Sequence, residues 1–356
     1  MYSGGSRMTW SLSRYRTGDL VEVRTAAEIL ATLDQNGCVG GMPFMPEMLQ
    51  FCGLRLCVGA VAHKSCDTIR VSRGLRLQTT VHLSGTCCDG SAHGGCQAAC
   101  NLFWKDVWLK PVHDNQNEPD EPPTVPPRSS SPEMTQARLL ECTRVPASAD
   151  HQEPCYSCQA TRLLDATEPL PRWDLRQYVY DVVTRNQSLG KTARVLALAP
   201  LGWLLRKIPY GYRVARFLYD RTHRLLTGRE SPIIIPALPP GSPTPTCRLD
   251  LQPGEFVRVK SKSEIEKTLD SNEKNRGLSF DPEMTPYCGK VYRVRNRISR
   301  LVDEKTGKML HMKQPCIMLE GVVCQAEYSH SRLLCPRNIP TFWREIWLEK
   351  VEINPQ

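Results

Sequence analysis

GDLVEVRTAAEILATLDQNGCVGGMPFMPEMLQFCG (residues 18–53) and GEFVRVKSKSEIEKTLDSNEKNRGLSFDPEMTPYCG (residues 254–289) decide how this chain is read. At an offset of 236 and with no gap they are identical at 16 of 36 positions. Val21/Val257, Glu28/Glu264, Thr32/Thr268, Phe44/Phe280, Pro46/Pro282 and Cys52/Cys288 are among them. The same offset puts Leu83, Gly85 and Cys88 on Leu319, Gly321 and Cys324. After three inserted residues, FWKDVWLKPV (103–112) falls on FWREIWLEKV (342–351). A single register held this far marks an internal duplication.

Each copy has a simple local grammar. GDLVEV and GEFVRV alternate apolar and polar residues, the period of a half-buried strand. TAAEILATLD and SKSEIEKTLD predict a short helix, because Thr25 or Ser261 stands three residues before Glu28 or Glu264, a capping box. DEKTGK (303–308) is a hairpin turn between strands. The pairs Trp104/Trp108 and Trp343/Trp347 recur in both copies within apolar segments, so they are read as core. The fold class expected is α+β: two homologous, small, mainly-β modules of SH3-like barrel or roll type, at 17–113 and 253–353. Around them the chain reads as a flexible N-terminus (1–16), a disordered Pro-rich linker (114–141) and a Cys-containing connector (142–171). A basic helical insert (172–229), interrupted at Pro200, and a second Pro-rich linker (230–252) complete it.

Working outward from the repeat, the first copy carries CCDGSAHGGCQAAC, Cys87 to Cys100. A run with so many thiols and so few large side chains is no core segment. It is a loop that gathers soft ligands, and soft ligands bind zinc or an iron–sulfur cluster. The candidate ligands are Cys66, Cys88, Cys96 and Cys100, with His63 and His93 as substitutes. Cys155 and Cys158, the one C-x2-C pair, are a possible addition. The spacing C-x7-C-x3-C departs from a zinc knuckle and leans toward a cluster. The second copy lacks the set, since Val302 stands at the position of Cys66. Its best equivalent is Cys316, Cys324, His330 and Cys335.

CDGSAH (88–93) is similar to the signature of the CDGSH iron–sulfur family, in which three Cys and one His hold a [2Fe–2S] cluster. The similarity covers six residues, with an alanine before the histidine. That family's upstream C-x-C pair falls at Arg76 and Gln78 here and is absent, so its fold is not implied. The chain also resembles bacterial Cys-rich proteins of unknown function that close with FWxxxWL, and this resemblance implies no activity.

Composition sets the remaining bounds. Sixteen cysteines in 356 residues, with no apolar signal segment at the start, lead us to expect a reducing, cytoplasmic setting. No run of 18 apolar residues suggests a spanning helix. Residues 172–229 hold 12 Lys and Arg against 3 Asp and Glu, a surplus of nine that matches the chain's net +9. The plain reading is a helical hairpin with solvated cations; the others are a surface for a protein partner or a membrane, with nucleic acid last. We therefore expect a metal-binding accessory or binding protein. A redox or thiol enzyme using the cluster or Cys96 is one alternative. A protein-interaction scaffold with structural cysteines is the other. Substrate, oligomeric state and enzymatic nature stay open at this point.

Overall fold

Thr25 and Ser261 begin the same short helix in the two repeats, and both capping boxes form. The Glu28 backbone N–H donates to Thr25 Oγ1 (3.3 Å) and the Thr25 N–H to Glu28 Oε2 (2.8 Å). Ser261 and Glu264 repeat the exchange at 3.4 and 3.0 Å. The computed structural model describes residues 10–70, 74–112, 134–145, 154–207, 213–329 and 332–352. They fall into two units: 1–93, 101–188 and 304–307 in the first, and 94–100, 189–303 and 308–356 in the second. The fold is mixed α and β, with several small antiparallel sheets.

The first unit contains β1 (Leu20–Val23), α1 (Ala26–Thr32), β2 (Arg55–Val61), β3 (Lys64–Cys66), β4 (Gly74–Arg76), β5 (Thr80–Leu83), β6 (Trp104–Lys105) and β7 (Leu109–Pro111). After these come α2 (Gln136–Glu141), β8 (Arg144–Val145), β9 (Cys155–Tyr156), β10 (Glu168–Leu170) and α3 (Arg176–Val183). Its main sheet has the order β6-β5-β2-β1-β7, and β10-β4-β3 form a second sheet. The second unit contains α4 (Leu189–Lys207), α5 (Arg213–Thr227), β11 (Phe256–Val259), α6 (Lys262–Glu266), β12 (Val291–Val302), β13 (Met309–Val323), β14 (Pro340–Trp343) and β15 (Leu348–Lys350). Its sheet order is β14-β13-β12-β11-β15.

The strand registers agree residue by residue with the sequence offset. Val21 lies opposite Leu56 and Pro111, and Val257 opposite Tyr292 and Lys350. Val58 faces Leu83 as Val294 faces Leu319, and Val81 faces Trp104 as Ile317 faces Trp343. In each unit the two edge strands are joined by one 3-10 turn, Asp106–Trp108 or Glu345–Trp347. A flat five-stranded sheet is about 19 Å across. Three residues in a tight turn do not span that, so each sheet is curled. The barrel expected from the sequence nevertheless does not close among the described residues. The edge strands β6 and β7 have two and three residues, and they pair with β5 and β1 rather than with each other.

The tryptophans are core, as their recurrence suggests. Trp104, Trp108, Trp343 and Trp347 have no exposed surface. Phe44 meets Trp108 edge-on at 5.1 Å, and Phe280 meets Trp347 at 5.5 Å. Two of the indoles donate to matching threonines, Trp108 to Thr32 at the end of α1 (3.2 Å) and Trp347 to Thr268 just beyond α6 (2.9 Å).

The segments between the modules differ from their sequence reading. Much of the Pro-rich linker, 114–133, lies outside the described residues, but its end forms α2, with Met134 and Leu139 buried in the first core. The connector is tied into that core through Gln159, whose amide donates to the carbonyls of Pro43 and Phe103 and accepts from the Phe103 N–H. The basic insert is divided, with α3 in the first unit and α4 and α5 in the second. Pro200 does not interrupt the insert's apolar helix, because α4 runs through it. The lost N–H bond is outweighed by packing of Leu198 and Leu205 on Tyr219 and Ile233.

Candidate metal site

Glu47 sits in the one-turn helix Pro46–Phe51, entered from an extended Met45 with proline at its first position. Met45 and Met48 bury one side of the turn and carry the Glu47 carboxylate inside, where the residue is 6% exposed. Cys88 follows β5 beyond a turn that needs Gly85 in the left-handed region (φ +79°). A bridge between Cys87 and Asn101 fixes the start of its loop. The loop then tightens: Ser91 N–H donates to Asp89 Oδ1, and His93 N–H to the Gly90 carbonyl at 3.1 Å. Thr143 Oγ1 holds the Ala92 carbonyl at 2.9 Å. These contacts deliver a buried His93 beside Glu47.

Three ligand groups meet there. Cys88 Sγ lies 3.3 Å from His93 Nε2 and 3.4 Å from Glu47 Oε1. His93 Nδ1 lies 3.6 Å from Glu47 Oε1. Among the described residues this is the one triple of His, Cys, Asp or Glu whose ligand atoms all fall within 4.8 Å of one another. Burial holds the Glu47 carboxyl above its ordinary range and the His93 imidazole below its own. Both shifts express a pocket that disfavours uncompensated charge. Glu47 Oε2 and His93 Nδ1 are buried without a hydrogen-bond partner. Unsatisfied buried acceptors and donors are costly unless a ligand completes them.

The donor set suits a single ion. Zinc binds thiolate sulfur at about 2.3 Å, imidazole nitrogen at about 2.0–2.1 Å and carboxylate oxygen at about 2.0–2.2 Å. In a tetrahedron those lengths place the donors roughly 3.4–3.6 Å apart, and the Cys88 sulfur lies at close to that spacing from Glu47 Oε1 (3.4 Å) and His93 Nε2 (3.3 Å). A cluster binds its protein ligands on different irons, which requires wider spacing and mostly thiolates.

Of the expected ligands, Cys88 and His93 come together. Cys66 is buried at the end of β3, opposite Gly74. His63 is buried too, its ring nitrogens against the Val61 carbonyl (3.3 Å) and the Gln177 carbonyl (3.1 Å). Burial and the adjacent Lys64 ammonium push its pKa down to about 3. Cys155 pairs with Val145 across β8 and β9, and Cys158 packs into the first core. Cys96 and Cys100 belong to the second unit, where Cys96 Sγ accepts the Val302 N–H at 3.3 Å.

Glu47 was missed in the sequence. The available signal was an acid inside the apolar run FMPEML, kept as Glu283 in the second copy. Compared with family models, curated proteins and solved structures, the chain matches none. No helix among the described residues is long and apolar enough to cross a membrane.

Proposed function

We propose that the protein binds one zinc ion through Glu47, Cys88 and His93, and serves as a metal-binding accessory protein built on two SH3-like rolls. The observation that carries the reading is the buried cluster of carboxylate, thiol and imidazole, whose three ligand atoms lie within 4.8 Å of one another. Three protein ligands leave a fourth position for water or a partner's donor. The order of strands around each curled sheet, with one 3-10 turn linking its edges, supports the roll.

A second reading draws on the same atoms. His93 lies between a thiol and a carboxylate, as the base does in a nucleophile triad. In such a relay the carboxylate stands on the far side of the imidazole from the sulfur. Here Glu47 touches Cys88 directly, at 3.4 Å, and a carboxylate beside the sulfur opposes thiolate formation. That direct sulfur–carboxylate contact favours an ion over a nucleophile.

Elemental analysis of the full chain purified without chelator is the test. One zinc per chain is expected, lost in Cys88→Ser, His93→Ala and Glu47→Gln. A metal-free protein whose Cys88 alone is alkylated rapidly by iodoacetamide would instead establish the thiol reading. A brown protein absorbing near 400 nm would establish a cluster.

A further inference from the structure

Eight of the twenty large apolar side chains exposed among the described residues stand on α4 and α5. The two helices pack together through one seam. Tyr219 turns inward, and its hydroxyl lies so close to Gly202 that a β-carbon there would come within 2.7 Å of it. Lys191 and Arg229 anchor the pair to the buried Glu327, at 3.0 and 3.1 Å.

The opposite faces are bare. On α4, Val195, Leu198, Ala199 and Leu205 point inward. Leu189, Ala193, Ala197, Leu201 and Leu204, at near four-residue spacing, form an exposed stripe without a charge. A 19-residue helix is about 28 Å long. Trp203 flanks the stripe, 38% exposed. On α5, Phe217, Leu218 and Leu225 face outward at 62%, 56% and 78% exposure. Arg221 and Arg224 share that side, and no carboxylate among the described residues pairs with either. α4 contains no acid, and the one acid of α5, Asp220, lies beside Arg216 at 3.6 Å.

We propose that α4 and α5 form an interfacial anchor for an anionic lipid surface, with the leucines and Phe217 entering the acyl boundary and Arg221 and Arg224 meeting the headgroups. An exposed apolar stripe with a tryptophan beside it on one helix, and apolar side chains interleaved with arginines on the next, is the composition such surfaces select. The charge pattern argues against a second copy as occupant, since two such faces would set arginine against arginine with no acid between them.

Sedimentation of the full chain with vesicles tests this. Phosphatidylcholine vesicles containing phosphatidylserine should carry it down, pure phosphatidylcholine should not, and added salt should release it. Phe217→Ser with Leu225→Ser should abolish binding. Arg221→Gln with Arg224→Gln should weaken it about thirtyfold, roughly fivefold per cation. Because all four side chains are exposed, far-UV circular dichroism should stay unchanged, and this separates lost binding from lost folding. No sedimentation with either vesicle overturns the proposal. So does light scattering that shows a dimer dispersed by Leu225→Ser.

Discussion

At Glu283 the loop after β13 turns its backbone inward. The N–H groups of Tyr328 and Ser329 donate to Oε1, at 2.7 and 2.9 Å, and that of Glu327 to Oε2, at 2.9 Å. At Glu47, on the equivalent turn of the first module, the loop after β5 sends no N–H to the carboxylate among the described contacts. The positions matching 327–329 are Ser91, Ala92 and His93. There the Ser91 N–H bonds Asp89 and the His93 N–H bonds Gly90, leaving the thiol of Cys88 and the ring of His93 facing the acid. One buried carboxylate is completed by its own backbone and the other by ligand side chains. The difference lies in what each loop offers its acid: three amides at Glu283, and sulfur and nitrogen, the other two groups of the candidate metal site, at Glu47.

The same truncation at the two acids should separate them most. Glu283→Ala strands three buried N–H donors, each costing about 1–3 kcal/mol, so the second unit should lose at least about 3 kcal/mol. Amide exchange at Glu327, Tyr328 and Ser329 should accelerate accordingly. Glu47→Ala, measured without metal, removes a buried acid that holds no loop amide and should cost at most about 1 kcal/mol. Equal losses at the two sites would erase the contrast.

Metal affinity should show the opposite asymmetry. Cys88→Ser and His93→Ala remove ligands, and loss of even a supporting outer-shell group commonly costs 10–100-fold. Zinc affinity should therefore fall by about a hundredfold or more, read by competition with a chromophoric chelator. Glu283→Ala should leave it unchanged wherever the chain remains folded.

The pH response sharpens the comparison at a smaller scale. Burial, with Asp281 adding to it, pushes the Glu283 carboxyl up to about 7, against the pull of its N–H donors. A raised acid keeps its proton in the folded chain where the unfolded chain has released it. Its contribution is full below about 4.5, the ordinary glutamate value, and is lost as pH rises through about 7. The thermal midpoint of the second unit should decline across that window, and Glu283→Gln should flatten the decline.

What the sequence disclosed follows from which interactions are local. Thr25 and Glu28 lie one helical turn apart, so their capping box is written in four residues. The strand registers follow from alternation and from a duplicated pattern that names its own partners. The candidate metal site is different in kind, because Cys88 and His93 share a loop but Glu47 comes from a turn 41 residues earlier. Proximity in sequence drew attention to Cys96 and Cys100, and an acid on a distant turn gives no such local signal. Nor does composition reveal edge-strand length, so short strands with a closing aromatic segment suggested a barrel or roll, and among the described residues the short edges leave each sheet open.

Where the modules agree, perturbations should agree as well, and the caps provide the finest measure. Thr25→Ala and Ser261→Ala each remove a hydroxyl that accepts the third helical N–H and meets the glutamate returning to the cap. Such losses cost typically about 1 kcal/mol. The two helices are short, seven and five residues, so neither has much internal hydrogen bonding to fall back on. Each is also pinned at its far end by a tryptophan–threonine bond, which limits fraying in the same way. Denaturant unfolding of the two single variants should therefore give losses within about 0.5 kcal/mol of each other. A cap that matters in one unit alone would mean that shared geometry has not preserved shared energetics, and would weaken any transfer of argument from Glu283 to Glu47.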